Sequence, residues 1–139
     1  MHDTPETRLA TLGLQLPEPA PALGNYLPWC IAGDTFMTSG QFPWFAGGVR
    51  YRGQLGRDLD LEQGYAACSL AALNAIAQLK QALGELSRVR QIVRLEGVLN
   101  VAEGVTEHPK ALDGASDLIT RVFDRQGQHT RMIWTNPVT

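Results

Sequence analysis

Two groups of residues in this chain could do chemistry. Arg131 lies in the run His129-Thr130-Arg131-Met132-Ile133-Trp134, which reads as the start of a strand. A guanidinium there can hold a small carboxylate by two parallel hydrogen bonds. Residue types alone favour a plainer role for it, a surface salt bridge or a cap on a helix end. The second group is Ser39-Gly40-Gln41, the polar end of the strand Thr35 to Ser39, with Pro43 just beyond. Corners of this kind leave a hydroxyl and backbone N–H groups facing a cleft. His2, His108 and His129 are isolated from cysteine ligands, and the chain has no hydrolase elbow, HExxH or paired CxxC. Spacing leaves a His–Cys or His–Ser nucleophilic pair open, with little weight. Gly47, Gly48, Gly53 and Gly56 form no GxGxxG or Walker pattern, so they read as turns and not as a phosphate cradle.

The chain that must position these groups has 139 residues, 44% of them hydrophobic, which suits one globular domain with a core of its own. A net charge of −2 provides no overall field to gather nucleic acid or an anionic membrane. Cys30 and Cys68, far apart amid apolar neighbours, read as buried free thiols of a reducing compartment. No leader pattern and no run of membrane-spanning length is found, which makes the cytoplasm the default.

Local signals divide the chain into residues 1–23, a short helix and Pro-rich arm, and residues 24–139, the main domain. Thr4-Pro5-Glu6 caps a helix whose Leu9 and Leu12 share a face before Gly13 stops it. Pro17, Pro19 and Pro21 make the next stretch an extended surface arm. Trp29 to Ala32, Gly33-Asp34 and Thr35 to Ser39 predict a β-hairpin. A short strand is expected around Val49-Arg50-Tyr51. Asp60 and Gln63 suit a capping box for a helix running to Leu83 and stopping at Gly84, in which Cys68 and Asn74 are packing residues. Ser87 to Val101 predicts a long strand, with Val89, Val93, Leu95, Leu99 and Val101 on the buried face. Leu112, Ala115, Leu118, Ile119 and Val122 predict a helix from Pro109 to Phe123, and Asn136-Pro137 interrupts the last strand. The sum is an α+β chain, a mixed sheet with two long helices packed on one face. Its other face is expected to be covered by another copy.

Ser39-Gly40-Gln41-Phe42-Pro43, Ala71-Ala72-Leu73-Asn74-Ala75-Ile76, the strand Val89 to Leu99, Gly114-Ala115-Ser116-Asp117-Leu118 and Gly127-Gln128-His129-Thr130-Arg131 stand in the order found in the Rid family, also called YjgF or endoribonuclease L-PSP. The GASDL and GxHxR runs resemble its YjgF-like branch, and the match covers about residues 24 to 134. The resemblance implies a chorismate-mutase-like fold in a homotrimer whose sheets form a central barrel, with small-molecule clefts between subunits. It further implies hydrolysis of enamine/imine intermediates such as 2-aminoacrylate to 2-oxo acids and ammonia, without metal or organic cofactor. Arg131 would clamp the substrate carboxylate, Ser39 and Gly40 would line the cleft, and Tyr26 falls where the family has a cleft tyrosine. Asp113 stands where deaminating relatives have Asn, and its charge would repel a carboxylate unless turned away or protonated. The family's last strand, with its LP turn and water-orienting glutamate, has no counterpart after Trp134, and Thr135 to Thr139 is too short to replace it. The resemblance therefore also admits a non-catalytic carboxylate-binding trimer. Endoribonuclease activity, suggested by the family's older name, is opposed by the acidic balance and the lack of aromatic and basic interleaving.

Overall fold

The computed structural model describes residues 3–135 in the order α1 (Pro5–Thr11), β1 (Trp29–Ala32), β2 (Thr35–Thr38), β3 (Trp44–Phe45), β4 (Gly48–Val49), α2 (Leu61–Leu83), β5 (Arg94–Leu99), α3 (His108–Phe123) and β6 (Thr130–Thr135). Helix starts follow from local chemistry. The Gln63 N–H donates to Asp60 Oδ1 at 2.8 Å and the Asp60 N–H donates to Gln63 Oε1 at 2.9 Å, the reciprocal box that satisfies otherwise orphaned donors. Thr4 and Thr7 make the same exchange ahead of α1, with Pro5 at its first position.

Helices α2 and α3 form the core. Leu73, Ile76 and Leu79 of α2 meet Leu112, Ala115, Leu118, Ile119, Val122 and Phe123 of α3, and Leu9 of α1 joins them. Leu12, which caps the end of α1, is exposed while Leu9 is buried. The arm does more than lie on the surface. Fully buried Gln78 of α2 donates to the Ala20 carbonyl at 2.8 Å and pins it down.

Glu6 ties α1 to the end of α2, its Oε2 accepting from Lys80 Nζ at 2.8 Å and from the Leu86 N–H at 2.9 Å. Burial pushes this carboxyl up, but the Lys80 and Leu86 donors outweigh burial and hold it below its ordinary 4.5. A depressed carboxylate contributes stability that is complete above the unfolded value and is lost as pH falls through the folded one. Because the pair is partly exposed, Glu6→Gln is expected to cost about 1 kcal/mol at neutral pH. Urea titrations should show the gap from the parent closing as pH drops below 4.5. A gap unchanged down to acid pH would refute the assignment.

The expected single mixed sheet is replaced, among the described residues, by three two-stranded pieces, β1-β2, β3-β4 and β5-β6. The hairpin matches the prediction, with Ile31 opposite Phe36 and Ala32 opposite Thr35. Its turn places only Gly33 at positive φ (59°), the arrangement in which glycine is needed at the first central position and Asp34 stays ordinary. Cys30, expected buried, is exposed: it pairs with Met37 on the face of the hairpin opposite Trp29 and Phe36. The segment around Val49 is shorter than expected, as the bend at Tyr51 takes φ of 59°.

The strand expected over Ser87 to Val101 is confined to Arg94–Leu99. Leu86–Arg88 forms a 3-10 turn, and the Gln91 amide donates to the Ile92, Gln126 and Gln128 carbonyls. Val93, assigned to the buried face, is 70% exposed as a result. Strands β5 and β6 run parallel across the α3 crossover, with Leu95 opposite Arg131 and Gly97 opposite Ile133. Leu95, Leu99 and Ile133 pack on the core, so Arg131 shares the inward face of β6. Outward stand Val98, 71% exposed, and Trp134, 55% exposed. The expected break at Asn136-Pro137 and the histidine His2 lie outside the described residues. Among the described residues no helix is long and apolar enough to cross a membrane.

Candidate functional site

The corner after β2 forms one wall of a cleft lined by Tyr26, Ser39, Gly40, Phe42 and Trp44, with Ala20 to Leu23 of the arm opposite. Asn74, expected only to pack, holds this corner in place. Its buried amide donates to the Trp44 carbonyl at 2.9 Å and to the Phe42 carbonyl at 3.3 Å. The Ser39 hydroxyl donates to the Leu27 carbonyl at 2.5 Å, which leaves its oxygen as an acceptor toward the cleft. The Tyr26 hydroxyl accepts from the Leu23 N–H at 3.2 Å and keeps its own proton to give. The cleft is thus an apolar trough with two hydroxyl groups at its edge.

Arg131 and Asp113 stand elsewhere in this chain, between β6 and α3, and neither lines the cleft. Arg131 Nη1 donates to Asp113 Oδ1 at 2.8 Å and to Ser116 Oγ at 3.2 Å, while Nη2 donates to the Pro109 carbonyl at 3.2 Å. These three bonds leave the Nε–H and one Nη2–H without partners among the described residues. The Arg131 side chain is 27% exposed and that of Asp113 48%, so the group opens to solvent on one side. The plain alternative for Arg131, a salt bridge, is therefore present, and Asp113 points at the guanidinium and not away from it. Cys68 of α2 lies close by. Burial pushes its thiol up to about 11, against an opposing pull from the Arg131 charge, so it stays protonated at neutral pH.

Sequence reading missed the role of Ser116 and gave His129 little weight. His129 Nε2 lies 2.9 Å from Ser116 Oγ and its Nδ1 lies 2.6 Å from the Gly127 carbonyl oxygen. The signal was spacing: His129 and Arg131 are two apart and share a side of an extended chain, while Asp113 and Ser116 are three apart and share a face of α3. Nearby, Tyr65 of α2 donates to Asp117 Oδ2 at 2.6 Å, and that carboxylate raises the phenol's pKa. Among the described residues no three His, Cys, Asp or Glu side chains converge as a metal centre would require.

The fold has relatives. The crystal structure of a putative endoribonuclease from Shewanella oneidensis MR-1 is 64% identical, with a TM-score of 0.96 over 99% of this chain and 91% of that one. Atu1372 from Agrobacterium tumefaciens, a protein with unknown function, is 36% identical, with a TM-score of 0.89 over 96% of this chain and 83% of that one. Protein TCP17 from Trypanosoma cruzi is 38% identical over 124 residues, 88% of this chain and 78% of that protein. The model of the family described as "YjgF/chorismate mutase-like, putative endoribonuclease" matches residues 6–139. With its two-helix core, its GASDL and GxHxR runs and this breadth of match, the chain belongs to the YjgF/chorismate mutase-like family.

Proposed function

We propose that the protein hydrolyses small carboxylate-bearing enamines and imines of the 2-aminoacrylate type to 2-oxo acids and ammonia. One observation carries the reading: a guanidinium on the inward face of β6, held by three hydrogen bonds, still has two N–H groups to offer a carboxylate. Protonation of an enamine at its β-carbon gives the iminium, and water adds to the C=N carbon. The carbinolamine then collapses to the C=O product as ammonia leaves. Fixing the carboxylate orients that carbon, and positioning is the largest contribution such a site can make. The Tyr26 and Ser39 hydroxyl groups are the polar groups suited to handle the water and the nitrogen.

In this proposal a neighbouring copy brings its Tyr26, Ser39 and Gly40 cleft to Arg131. The exposed Val98 and Trp134 on the outward face of β5-β6 favour such an assembly, because a partner would bury them. The expected species in light scattering is a trimer, three times 15.2 kDa. A monomer at assay concentration would remove the shared cleft. The activity itself is tested by supplying freshly generated 2-aminoacrylate and following 2-oxo acid release. A rate no greater than in buffer would refute the reading.

Asp113 occupies Nη1 and offsets part of the positive charge that the free Nε–H and Nη2–H present to a substrate carboxylate. Asp113→Asn is expected to lower the KM for a carboxylate substrate by roughly 10-fold, with kcat little changed, since that offsetting charge is removed. A raised KM would mean that Asp113 orients Arg131 instead.

A further inference from the structure

Ser116, His129 and Arg131 form a connected set that imine hydrolysis does not use in full. The Gly127 carbonyl can only accept, so His129 Nδ1, 2.6 Å away, carries the ring proton in the neutral imidazole. That leaves Nε2 with a lone pair aimed at Ser116 Oγ across 2.9 Å. The serine hydrogen therefore goes to His129, and the serine oxygen accepts from Arg131 Nη1 at 3.2 Å. A hydroxyl that gives its proton to an imidazole and takes an N–H from a cation is polarised toward the alkoxide. Ser39 shows the contrast, with its proton donated to a backbone carbonyl and no base beside it. Ser116 and His129 are both partly exposed, as is the Asp113 side chain.

We propose that Ser116 is a nucleophile toward activated carboxylic esters, with His129 as its general base and the unspent guanidinium N–H groups of Arg131 as the oxyanion contact. The Oγ–C bond forms as the Ser116 proton passes to His129 Nε2, and the carbonyl electron pair moves onto the oxygen facing Arg131. Collapse breaks the ester C–O bond, and the leaving alcohol or phenol takes the proton from His129. Water then adds to the acyl-serine with His129 again accepting a proton, which returns to Ser116 Oγ as the carboxylic acid departs. The third member of the relay is a neutral carbonyl, where triad hydrolases place a carboxylate, so the imidazolium is less stabilised. Esters with good leaving groups are accordingly the class served.

The test uses p-nitrophenyl acetate on the full chain, with nitrophenolate release followed by absorbance and acid-quenched protein mapped by mass spectrometry. One acetyl group on Ser116 of the unmutated protein is the expected result. Ser116→Ala should abolish the adduct, and His129→Asn, whose amide can still reach the Gly127 carbonyl, should slow acylation by about 100-fold. Acetyl found only on lysine, tyrosine or another serine would overturn the proposal, as would equal rates in parent and S116A. Mapping on the unmutated protein decides the matter even where a variant folds poorly. No imine substrate enters this assay, so its failure and that of the deaminase reading are told apart.

Discussion

Gly114→Ala is expected to destabilise the protein by about 3 kcal/mol, the upper range for overpacking a close contact. Gly114 lies where α3 crosses α2, and a Cβ there would stand 2.8 Å from the Tyr65 carbonyl carbon and nearer still to its oxygen. The obstacle is backbone in the first turns of α2, which no rotamer change can clear. The helices would have to part, and the same movement would carry Asp113 and Ser116 away from Arg131. Chemical denaturation checks the stability, and 2-oxo acid release checks the site. Gly48→Ala is the comparison, since a Cβ there meets nothing within 4 Å, and its cost should stay within about 0.5 kcal/mol. Equal midpoints for the two variants would refute the close-packing account.

Arg131→Ala is expected to lower kcat/KM for 2-aminoacrylate by at least about 100-fold, because the carboxylate loses its anchor and the reacting carbon its orientation. Arg131→Lys should recover only part of this. An ammonium keeps the charge but lacks the planar fork that can bind Asp113, Ser116 and a ligand together. Alanine also leaves Asp113 and the Pro109 carbonyl short of a donor, so a lower melting temperature will accompany the kinetic loss. Rates taken well below that temperature separate the two effects. Undiminished turnover in R131A would remove the proposed deaminase mechanism.

The parts of this fold legible in the sequence are those settled by near neighbours. Asp60 and Gln63 exchange hydrogen bonds three residues apart, Gly33 sets its turn alone, and the apolar period of α3 needs only its own register. Distant partners decided the rest. The strand ahead of Arg94 was lost to Gln91, whose amide engages carbonyls on the far side of α3 in sequence. The alternation Val89, Val93, Leu95 carried no trace of that. Cys30 looked buried because its neighbours are apolar, yet strand pleating put it with Met37 on the open side. The candidate site was half visible. Tyr26, Ser39 and Gly40 do share a cleft, and Arg131 does stand near Asp113, but the two groups are apart within one chain. The Ser116 and His129 pairing depends on the parallel β5-α3-β6 crossover, which is a property of the folded chain.

Strand β6 reverses its facing at every residue, with Arg131 and Ile133 toward the helices and Met132 and Trp134 away. A single residue lost between α3 and β6 would therefore exchange the two sets, sending the guanidinium outside and the Met132 thioether into its place. The frame is kept by a splint of main-chain and amide bonds: the Ile92 N–H grips the Gln126 carbonyl at 2.7 Å while Gln91 spans Gln126 and Gln128. The splice between Phe123 and Thr130 is thus a stretch in which a change of length would be felt inside the protein, although most of it lies at the surface.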